Sequence, residues 1–296
     1  MEIAYYPGCS LQQSSALYDL QSRRIFEELG VRLMEIEDWS CCGATSAGKV
    51  DDFLAVALPA RNIGIAEEAG FTEMVIPCSA CYSRTLVAQQ RMADDTRLKE
   101  DINEEIGKKV RGDLKVSSIL ESLLPIVTAK DFKPKVIRKF RELKPVCYYG
   151  CMLTRFPYTV PVPDRVENPR GMEQVLDALG IKALDWNYKT YCCGASAAVN
   201  DNQTSLSLMS RIMKDAVARG ANCFVVTCPM CQMNMDAHQN AFCEKNDIEA
   251  RLPVYFITEL LGAAMGIAPE ELQLDRHFID GAQLLKESEK DERKEK

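Results

Sequence analysis

The sequence WSCCGA at residues 39–44 returns in a near copy, YCCGAS, at residues 191–196. Adjacent cysteines are uncommon, and a second copy in the same chain indicates that one chemical site has been duplicated. In each half, an isolated cysteine precedes the adjacent pair and a Cys-x-x-Cys motif follows it. The first cysteine set is Cys9, Cys41, Cys42, Cys78 and Cys81, and the second cysteine set is Cys151, Cys192, Cys193, Cys228 and Cys231. The sequence therefore predicts one five-cysteine site in each half of the chain.

The residues beside these cysteines indicate parallel β-sheets. The apolar runs MVIP at residues 74–77 and FVVT at residues 224–227 end just before a Cys-x-x-Cys motif and have the length of buried strands. Amphipathic stretches between the motifs end at glycines, which are typical helix C-caps. Alternating strands and helices favour βαβ units, whose loops gather at the carboxyl ends of the strands. We expect an α/β protein of two repeated, pseudo-twofold related domains, each with a short parallel sheet flanked by helices.

The two predicted domains span residues 1–128 and residues 145–285. Between them, residues 129–144 form a basic stretch that contains Pro134 and is followed by Pro145, and we interpret it as a linker. The strongly charged residues 286–296 are predicted to form a disordered tail.

Composition limits the classes of function. The chain has 296 residues, of which 47% are hydrophobic, and a net charge of −7, so its acidic balance argues against a nucleic-acid partner. No apolar stretch is long enough for a membrane-spanning helix, and the first residues lack the pattern of a signal peptide, so we expect a cytoplasmic protein. In a reducing compartment, 13 cysteines indicate metal ligation or redox chemistry rather than disulfides.

The number of cysteines in each set narrows the choice of metal centre. Thiolates are soft ligands that select zinc, copper(I) or iron–sulfur centres. A structural zinc site or an ordinary cubane cluster needs four ligands. A fifth cysteine favours a larger or irregular cluster, or a cubane with one cysteine kept free for chemistry. Gly43 and Gly194 would let the backbone approach an inorganic core, and with Gly8 and Gly150 they are the predicted cofactor-binding glycines.

On these motifs the chain resembles the family of cysteine-rich CCG domain proteins. With two such domains and no ferredoxin module, it looks like the catalytic B subunit of a heterodisulfide reductase, and the resemblance covers nearly the whole chain. It implies an oxidoreductase subunit, similar to CoB-CoM heterodisulfide reductase, that reduces a disulfide to two thiols in one-electron steps. It also implies two non-cubane [4Fe-4S] clusters, each held by the five cysteines of one set. Zinc in one repeat is the alternative cofactor.

The chain needs an electron source outside itself. It lacks the clustered cysteine run of a ferredoxin and the glycine fingerprint of a dinucleotide site. The resemblance implies a ferredoxin-like C subunit of the HdrC type and a flavin-containing A subunit of the HdrA type. Two alternatives stay open. One is an electron-transfer subunit of a membrane-associated or flavin dehydrogenase complex without disulfide chemistry, and the other is a structural zinc module.

Histidines and arginines outside the two cysteine sets are weaker candidates. His238 follows Cys231 and is a candidate for proton transfer, although a surface or capping histidine is the stronger expectation. The other histidine, His277, adjoins no cysteine motif. Arg155, just beyond Cys151, would contact an anionic substrate or lie on a helix surface.

The sequences YYPGC at residues 5–9 and YYGC at residues 148–151 match each other. Their tyrosines are candidates for hydrogen bonds to cluster sulfurs, with burial as strand aromatics the stronger expectation; they are Tyr5, Tyr6, Tyr148 and Tyr149. The three remaining cysteines, Cys147, Cys223 and Cys243, are expected to be small buried apolar residues. Cys147 would share a strand face with Cys151 and so approach the second cysteine set.

Overall fold

A computed structural model describes residues 1–44, 46–155, 160 and 164–289 of the protein. It confirms the predicted α/β fold with short parallel sheets flanked by helices. The chain divides into two compact units. The first consists of Met1–Ser122 and a short segment that starts at Met152, and the second consists of Leu123–Cys151 and the residues from Asp164 onward.

The first unit contains a four-stranded sheet. Its strands are β1 (Glu2–Tyr5), β2 (Arg32–Glu35), β3 (Glu73–Ile76) and β4 (Lys115–Ser118). They lie in the order β2-β1-β3-β4, and every neighbouring pair is parallel. Met74, Val75 and Ile76 of β3 are fully buried, because helices cover both faces of a parallel sheet and its strands become continuous apolar runs.

Seven helices connect and flank these strands in the described part of the first unit. They are α1 (Gly8–Gln12), α2 (Ala16–Glu28), α3 (Ala47–Val50), α4 (Leu54–Glu68), α5 (Ser79–Asp94), α6 (Thr96–Ile106) and α7 (Ile119–Val127). The boundary between the two units falls inside α7. Helix α6 shows how local signals set helix bounds: the Asp95 side chain caps its first turn, and Gly107 ends it with a left-handed backbone.

The second unit repeats the plan with three strands. They are β5 (Pro145–Cys147), β6 (Cys223–Val226) and β7 (Val254–Phe256), all parallel and in that order. The helices are α8 (Gly171–Ala178), α9 (Asn202–Ala218), α10 (Pro229–Ala237), α11 (Gln239–Lys245), α12 (Ile257–Ala264) and α13 (Ala282–Ser288). Of the helices that the structure describes, none combines the length and the apolar character needed to cross a membrane.

Hydrogen bonds at the strand ends determine which residues of the two units correspond. The N–H of Tyr6 donates to the carbonyl of Val75 at 3.0 Å, and the N–H of Tyr148 donates to the carbonyl of Val225 at 2.8 Å. Tyr6 therefore corresponds to Tyr148, and Tyr5 corresponds to Cys147. The direct match of the two tyrosine pairs in the sequence is one residue out of register, since the position of the proline in YYPGC is occupied by a tyrosine in the second unit.

The segment interpreted as a linker packs within the second unit. The N–H groups of Ile137 and Arg138 both donate to the carbonyl of Ala264, at 2.9 and 3.0 Å, and Phe140 is buried and bridges to Glu289. Of the predicted tail 286–296, the first three residues belong to α13. Residues 290–296 lie outside the described residues.

Candidate metal centres

The carboxyl ends of β1 and β3 bring the first cysteine set together. Cys9 lies in α1, directly after β1. Cys78 follows β3 as the N-cap of α5, and Cys81 lies in the first turn of that helix. Because β1 and β3 are parallel neighbours, their carboxyl ends lie side by side. The loop between β2 and α3 supplies Cys41 and Cys42.

The sulfurs of the first cysteine set touch without bonding. The Sγ atoms of Cys42 and Cys81 are 3.3 Å apart, and those of Cys41 and Cys9 are 3.9 Å apart. Every cysteine in the chain is a free thiol. Cys42, Cys78 and Cys81 are buried, whereas Cys9 and Cys41 are exposed. The site is therefore closed by protein on one side and open to solvent on the other.

The second cysteine set has the same arrangement. Cys228 is the N-cap of α10, and Cys231 lies in its first turn. The Sγ atoms of Cys193 and Cys231 are 3.7 Å apart. Cys193, Cys228 and Cys231 are buried, Cys192 is exposed and Cys151 is half-buried. In both sets, the first cysteine of the adjacent pair faces solvent and the second faces the interior.

Neighbouring thiols favour ionisation of one cysteine in each set. Hydrogen bonds from the thiols of Cys41 and Cys81 lower the pKa of Cys42 to about 3. In the second set, the hydrogen bond from the Cys151 thiol lowers the pKa of Cys192 to about 6, against the effect of burial. At neutral pH each set contains a thiolate. Removing further protons from thiols in contact requires a cationic centre to balance the charge.

Gly8 and Gly150 let the backbone pass against a buried sulfur. A Cβ at Gly8 would lie 2.8 Å from the Sγ of Cys81, and a Cβ at Gly150 would lie 2.8 Å from the Sγ of Cys231. Their φ values of +74° and +67° are in the left-handed region, which residues with a side chain rarely adopt. Glycine is required at both positions because the backbone has a positive φ and because the cysteine Sγ leaves no room for a Cβ.

Gly43 and Gly194 pack against the helix that follows each pair of adjacent cysteines, and their approach to an inorganic core stays a prediction. A Cβ at Gly43 would lie 2.5 Å from the Cβ of Ala47 in α3, and a Cβ at Gly194 would lie 2.9 Å from the Cα of Ser205 in α9. Both glycines have positive φ. They let the loop of adjacent cysteines turn tightly against the following helix.

Tyr6 and Tyr148 anchor the loops that carry the adjacent cysteines. The hydroxyl of Tyr6 donates to the carbonyl of Ser40 at 2.9 Å, and the hydroxyl of Tyr148 donates to the carbonyl of Tyr191 at 2.6 Å. Ser40 and Tyr191 directly precede the cysteine pairs. Burial raises the pKa of both hydroxyls well above the usual value, and the thiols of the cysteine set in the same unit raise it further. They stay protonated and remain donors.

The other two tyrosines of the matched motifs serve different contacts. The guanidinium of Arg23 lies over the ring of Tyr5, 4.7 Å from its centroid. The hydroxyl of Tyr149 contacts the Glu173 carboxylate and accepts the N–H of Met172 at 2.7 Å. All four tyrosines are fully buried, as expected for strand aromatics.

The donors around each set fit an iron–sulfur centre. The hydroxyls of Ser79 and Thr227, next to Cys78 and Cys228, are buried without a hydrogen-bond partner among the described residues, and the same holds for Nε of Arg84. Inorganic sulfide and bridging thiolate accept such hydrogen bonds. Within the described ranges, no three His, Cys, Asp or Glu side chains are arranged around a single metal ion. Three features match a polynuclear site: the soft thiolates are clustered, a glycine lies beside a buried sulfur, and hydrogen-bond donors without a protein partner are available to the centre.

A buried histidine that the sequence alone left unassigned packs against the helix carrying Cys231. Nε2 of His277 lies 2.7 Å from Oε1 of Glu259, and its Nδ1 lies 3.9 Å from Oδ2 of Asp236. None of the three side chains is more than 2% exposed. Burial opposes protonation, but Glu259 and then Asp236 outweigh it and raise the pKa of His277 to about 9. The imidazole is therefore charged at neutral pH.

The first unit has a simpler contact at the corresponding place. Glu121 accepts the N–H of Ser118 at the end of β4, and Glu259 accepts the N–H of Phe256 at the end of β7. The second carboxylate oxygen of Glu121 accepts the hydroxyl of Tyr82 at 3.1 Å. A glutamate three residues beyond a strand end is a capping signal for the next helix. Its occurrence in both halves is the sequence signal that leads to Glu259 and its histidine.

His238 and Arg155 occupy less specialised positions. His238 is half-buried at the junction of α10 and α11, where its carbonyl accepts the N–H of Phe242 at 3.1 Å. Arg155 lies in the turn after Cys151 and is partly exposed. The proton-transfer role of His238 and the substrate contact of Arg155 stay predictions.

The three cysteines outside the two sets are buried. Cys147, Cys223 and Cys243 have no exposed surface, and burial is the main cause that raises the pKa of each thiol. After burial, the charges that act on the pKa of Cys147 are those of Glu173 and Lys189. Nζ of Lys189 lies 2.6 Å from Oε1 of Glu173, and both side chains are buried, so the Cys147 thiol lies in the environment of this ion pair.

The chain is similar to redox proteins over nearly its full length. Residues 3–84 and 146–236 match the CCG cysteine-rich domain family. The chain is 32% identical to the 8-methylmenaquinol:fumarate reductase membrane anchor subunit of Wolinella succinogenes, over 96% of this chain and 99% of that one. It is 28% identical to the B subunit of the ferredoxin/F(420)H(2)-dependent CoB-CoM heterodisulfide reductase of Methanosarcina acetivorans, over 96% of both chains.

A solved structure shares the fold. A hypothetical protein from Helicobacter pylori aligns with a TM-score of 0.75 at 12% identity, and the alignment covers 94% of this chain. This chain spans about half the length of that structure, 51%. The likeness shows the fold alone.

The glycine before Cys151 can be tested against a matched glycine. We expect Gly150→Ala to destabilise the second cysteine site, because its Cβ would displace the Sγ of Cys231. Gly180 has a similar φ of +74°, and a Cβ there would meet no described atom within 4 Å, so Gly180→Ala has only the backbone cost of about 1–2 kcal/mol. Urea unfolding and iron content per chain compare the two variants. Equal losses in both would contradict a role for the Cys231 contact.

The charge of His277 predicts a pH dependence of stability. Its folded-state pKa of about 9 lies above the ordinary 6.5, so its stabilisation is complete below about pH 6.5 and is lost as pH rises through about 9. We expect His277→Gln to lower the free energy of unfolding by about 3 kcal/mol at pH 6, because Glu259 and Asp236 lose their cation. The deficit should shrink at pH 10. His238→Gln is the control, and a deficit of constant size at both pH values would refute the ionic explanation.

Proposed function

We propose that this chain is the iron–sulfur subunit at which a disulfide is reduced to two thiols. The premise is that the chain belongs to the CCG cysteine-rich domain family and, within it, to the family of heterodisulfide reductase B subunits. In this proposal, the first and second cysteine sets each hold a non-cubane [4Fe-4S] cluster through all five cysteines. The relatives support the more general conclusion that the chain is a component of an oxidoreductase complex.

The observation that carries the proposal is the matched exposure of the two cysteine sets. In each adjacent pair, the second cysteine, Cys42 or Cys193, is almost fully buried, while the first, Cys41 or Cys192, faces solvent. A structural metal site would be closed on all sides. A site with one open side can be approached by a substrate sulfur.

The reaction has a simple balance. A disulfide RS–SR′ takes up two electrons and two protons, its S–S bond breaks, and RSH and R′SH leave. Iron–sulfur clusters held by the two cysteine sets would supply these electrons one at a time, one from each cluster. This accounts for the duplication of the cysteine set in one chain.

The protein's own residues would bind and orient the centres. Cys78 and Cys81 lie at the start of α5, and Cys228 and Cys231 lie at the start of α10. The positive end of a helix dipole stabilises thiolate charge there. The buried Tyr6 and Tyr148 fix the loops of adjacent cysteines, and the buried side of each set excludes water from the sulfurs.

Partners follow from the same proposal. A relative in Methanosarcina mazei, 26% identical over 298 residues, is named as the B subunit of a ferredoxin:CoB-CoM heterodisulfide reductase. We extend to this chain a ferredoxin-like subunit of the HdrC type as the direct electron donor and a flavin-containing subunit of the HdrA type beyond it. Such a complex would operate in the cytoplasm.

A second candidate function rests on the Wolinella succinogenes relative. That protein is named the membrane anchor subunit of an 8-methylmenaquinol:fumarate reductase, and its identity to this chain, 32%, exceeds the 28% of the Methanosarcina acetivorans relative. The candidate is a subunit that passes electrons between a quinol and a partner without disulfide chemistry. The same two cysteine sets would serve it.

Cluster ligation can be tested by iron analysis. Anaerobically purified protein should contain about eight irons and about eight acid-labile sulfides per chain if both sets hold four-iron clusters. We expect Cys42→Ala and Cys193→Ala to lose up to half of the iron each. The matched controls are Cys223→Ala and Cys243→Ala, which remove equally buried thiols outside the sets. Full iron in both of the first two variants would rule out five-cysteine ligation.

The two candidate functions differ in what oxidises or reduces the centres. The complex of this chain with its partner subunits is prepared with the clusters reduced by dithionite, and excess reductant is removed. Reoxidation by a panel of small disulfides, with two thiols released per disulfide, supports disulfide reduction. Reoxidation by a menaquinone analogue with no thiol release from any disulfide supports the quinol-linked candidate instead.

A further inference from the structure

Arg84 places a cation at one cysteine set where the other set has a neutral residue. Arg84 lies in α5, three residues after Cys81, and Asn234 lies in α10, three residues after Cys231. Residues three apart share a helix face, so each lies on the same face as the second cysteine of its Cys-x-x-Cys motif. The two positions correspond in the repeated architecture, but their charges differ.

The surroundings of Arg84 direct its charge to the first cysteine set. Its Nε is buried and has no hydrogen-bond partner within the part of the chain that the structure describes. The cation and its available donor therefore lie about one turn from Cys81, on the helix face that carries this cysteine.

The surroundings of Asn234 use the same helix position differently. Its Nδ2 donates to the carbonyl of Cys193 at 2.9 Å and to the hydroxyl of Ser205 at 3.2 Å. The side chain is buried and its amide carries no net charge. It holds the loop of adjacent cysteines in place by hydrogen bonds and brings no positive charge to the second set.

We propose that Arg84 raises the reduction potential of the iron–sulfur centre in the first cysteine set above that of the second, so that the first centre is reduced first. The inference rests on the proposed iron–sulfur centres and deepens that function by assigning an order to them. Arg84 acts on the centre through its charge and a donated hydrogen bond.

The physical reason is the charge change on reduction. Each centre accepts one electron from an external one-electron donor, no bond is broken and no proton is required, and the centre becomes more negative by one charge. A nearby guanidinium in a partly buried site stabilises the reduced state more than the oxidised state. Net charge and hydrogen bonds to the sulfurs are among the factors that set such potentials.

Redox titration of the purified, iron-loaded protein tests the inference. Wild-type protein is titrated anaerobically against dithionite with mediators, and the two centres are followed by electron paramagnetic resonance. We expect two separable one-electron transitions. Arg84→Met should reduce the equilibrium constant for reduction of the higher-potential centre at least tenfold, which corresponds to about 59 mV, and leave the other transition unchanged.

Two further variants separate charge from packing. Arg84→Lys keeps the positive charge without the guanidinium Nε, and it should restore more than half of the shift. Arg91 lies two turns further along α5 and pairs with Asp52 at the surface, so Arg91→Met removes the same kind of residue from the same helix. It should leave both transitions where they are in the wild type.

The outcomes distinguish this inference from the proposed function. Iron at the wild-type level in Arg84→Met with both potentials unchanged overturns the inference alone. A shift that Arg84→Lys fails to restore at all also overturns it, because the effect would then come from packing. Wild-type protein without iron overturns both, whereas absent disulfide turnover with the expected shift overturns only the disulfide reaction.

Discussion

Five thiols gathered at the carboxyl end of each sheet form the constraint on which the rest of each unit depends. Several thiolates at distances near 3.3–3.9 Å repel one another unless a cationic centre balances them. The parallel sheet brings the thiols together, because the loops that follow neighbouring strands lie at the same edge. The positive ends of the α5 and α10 helix dipoles then stabilise negative charge on the thiolates at the starts of these helices.

The features that recur in both units are those that hold the sulfurs in place. Gly8 or Gly150 directly precedes the first cysteine of each set and lets the backbone approach a buried sulfur. A tyrosine hydroxyl donates a hydrogen bond to each loop of adjacent cysteines. The features that differ between the units lie outside the cysteine sets. Glu121 meets a neutral tyrosine, whereas Glu259 meets a charged histidine. Duplication has therefore preserved the arrangement of the cysteines while the surroundings of the two sets diverged.

The sequence predicted the α/β class and the parallel sheets because both depend on local patterns of apolar residues and glycines. It did less well on correspondence between the halves. The match of YYPGC to YYGC leaves the register of the tyrosines undecided, whereas backbone pairing with β3 and β6 places Tyr6 opposite Tyr148. A pattern of identical letters cannot reveal which strand residue faces which neighbour. For the same reason, the sequence could not reveal that a Cβ at Gly43 would meet Ala47.

By itself, the sequence determined the cysteine inventory, its division into two sets and the soft-ligand chemistry that this implies, because these depend only on residue type and order. The tertiary structure decided which thiols are buried, which loops the tyrosines anchor, and that His277 rather than His238 lies in a buried ionic network. It also decided that Arg84 and Asn234 occupy corresponding places. Such relations join residues far apart in the chain, and only folding brings their charges and donors within interaction distance.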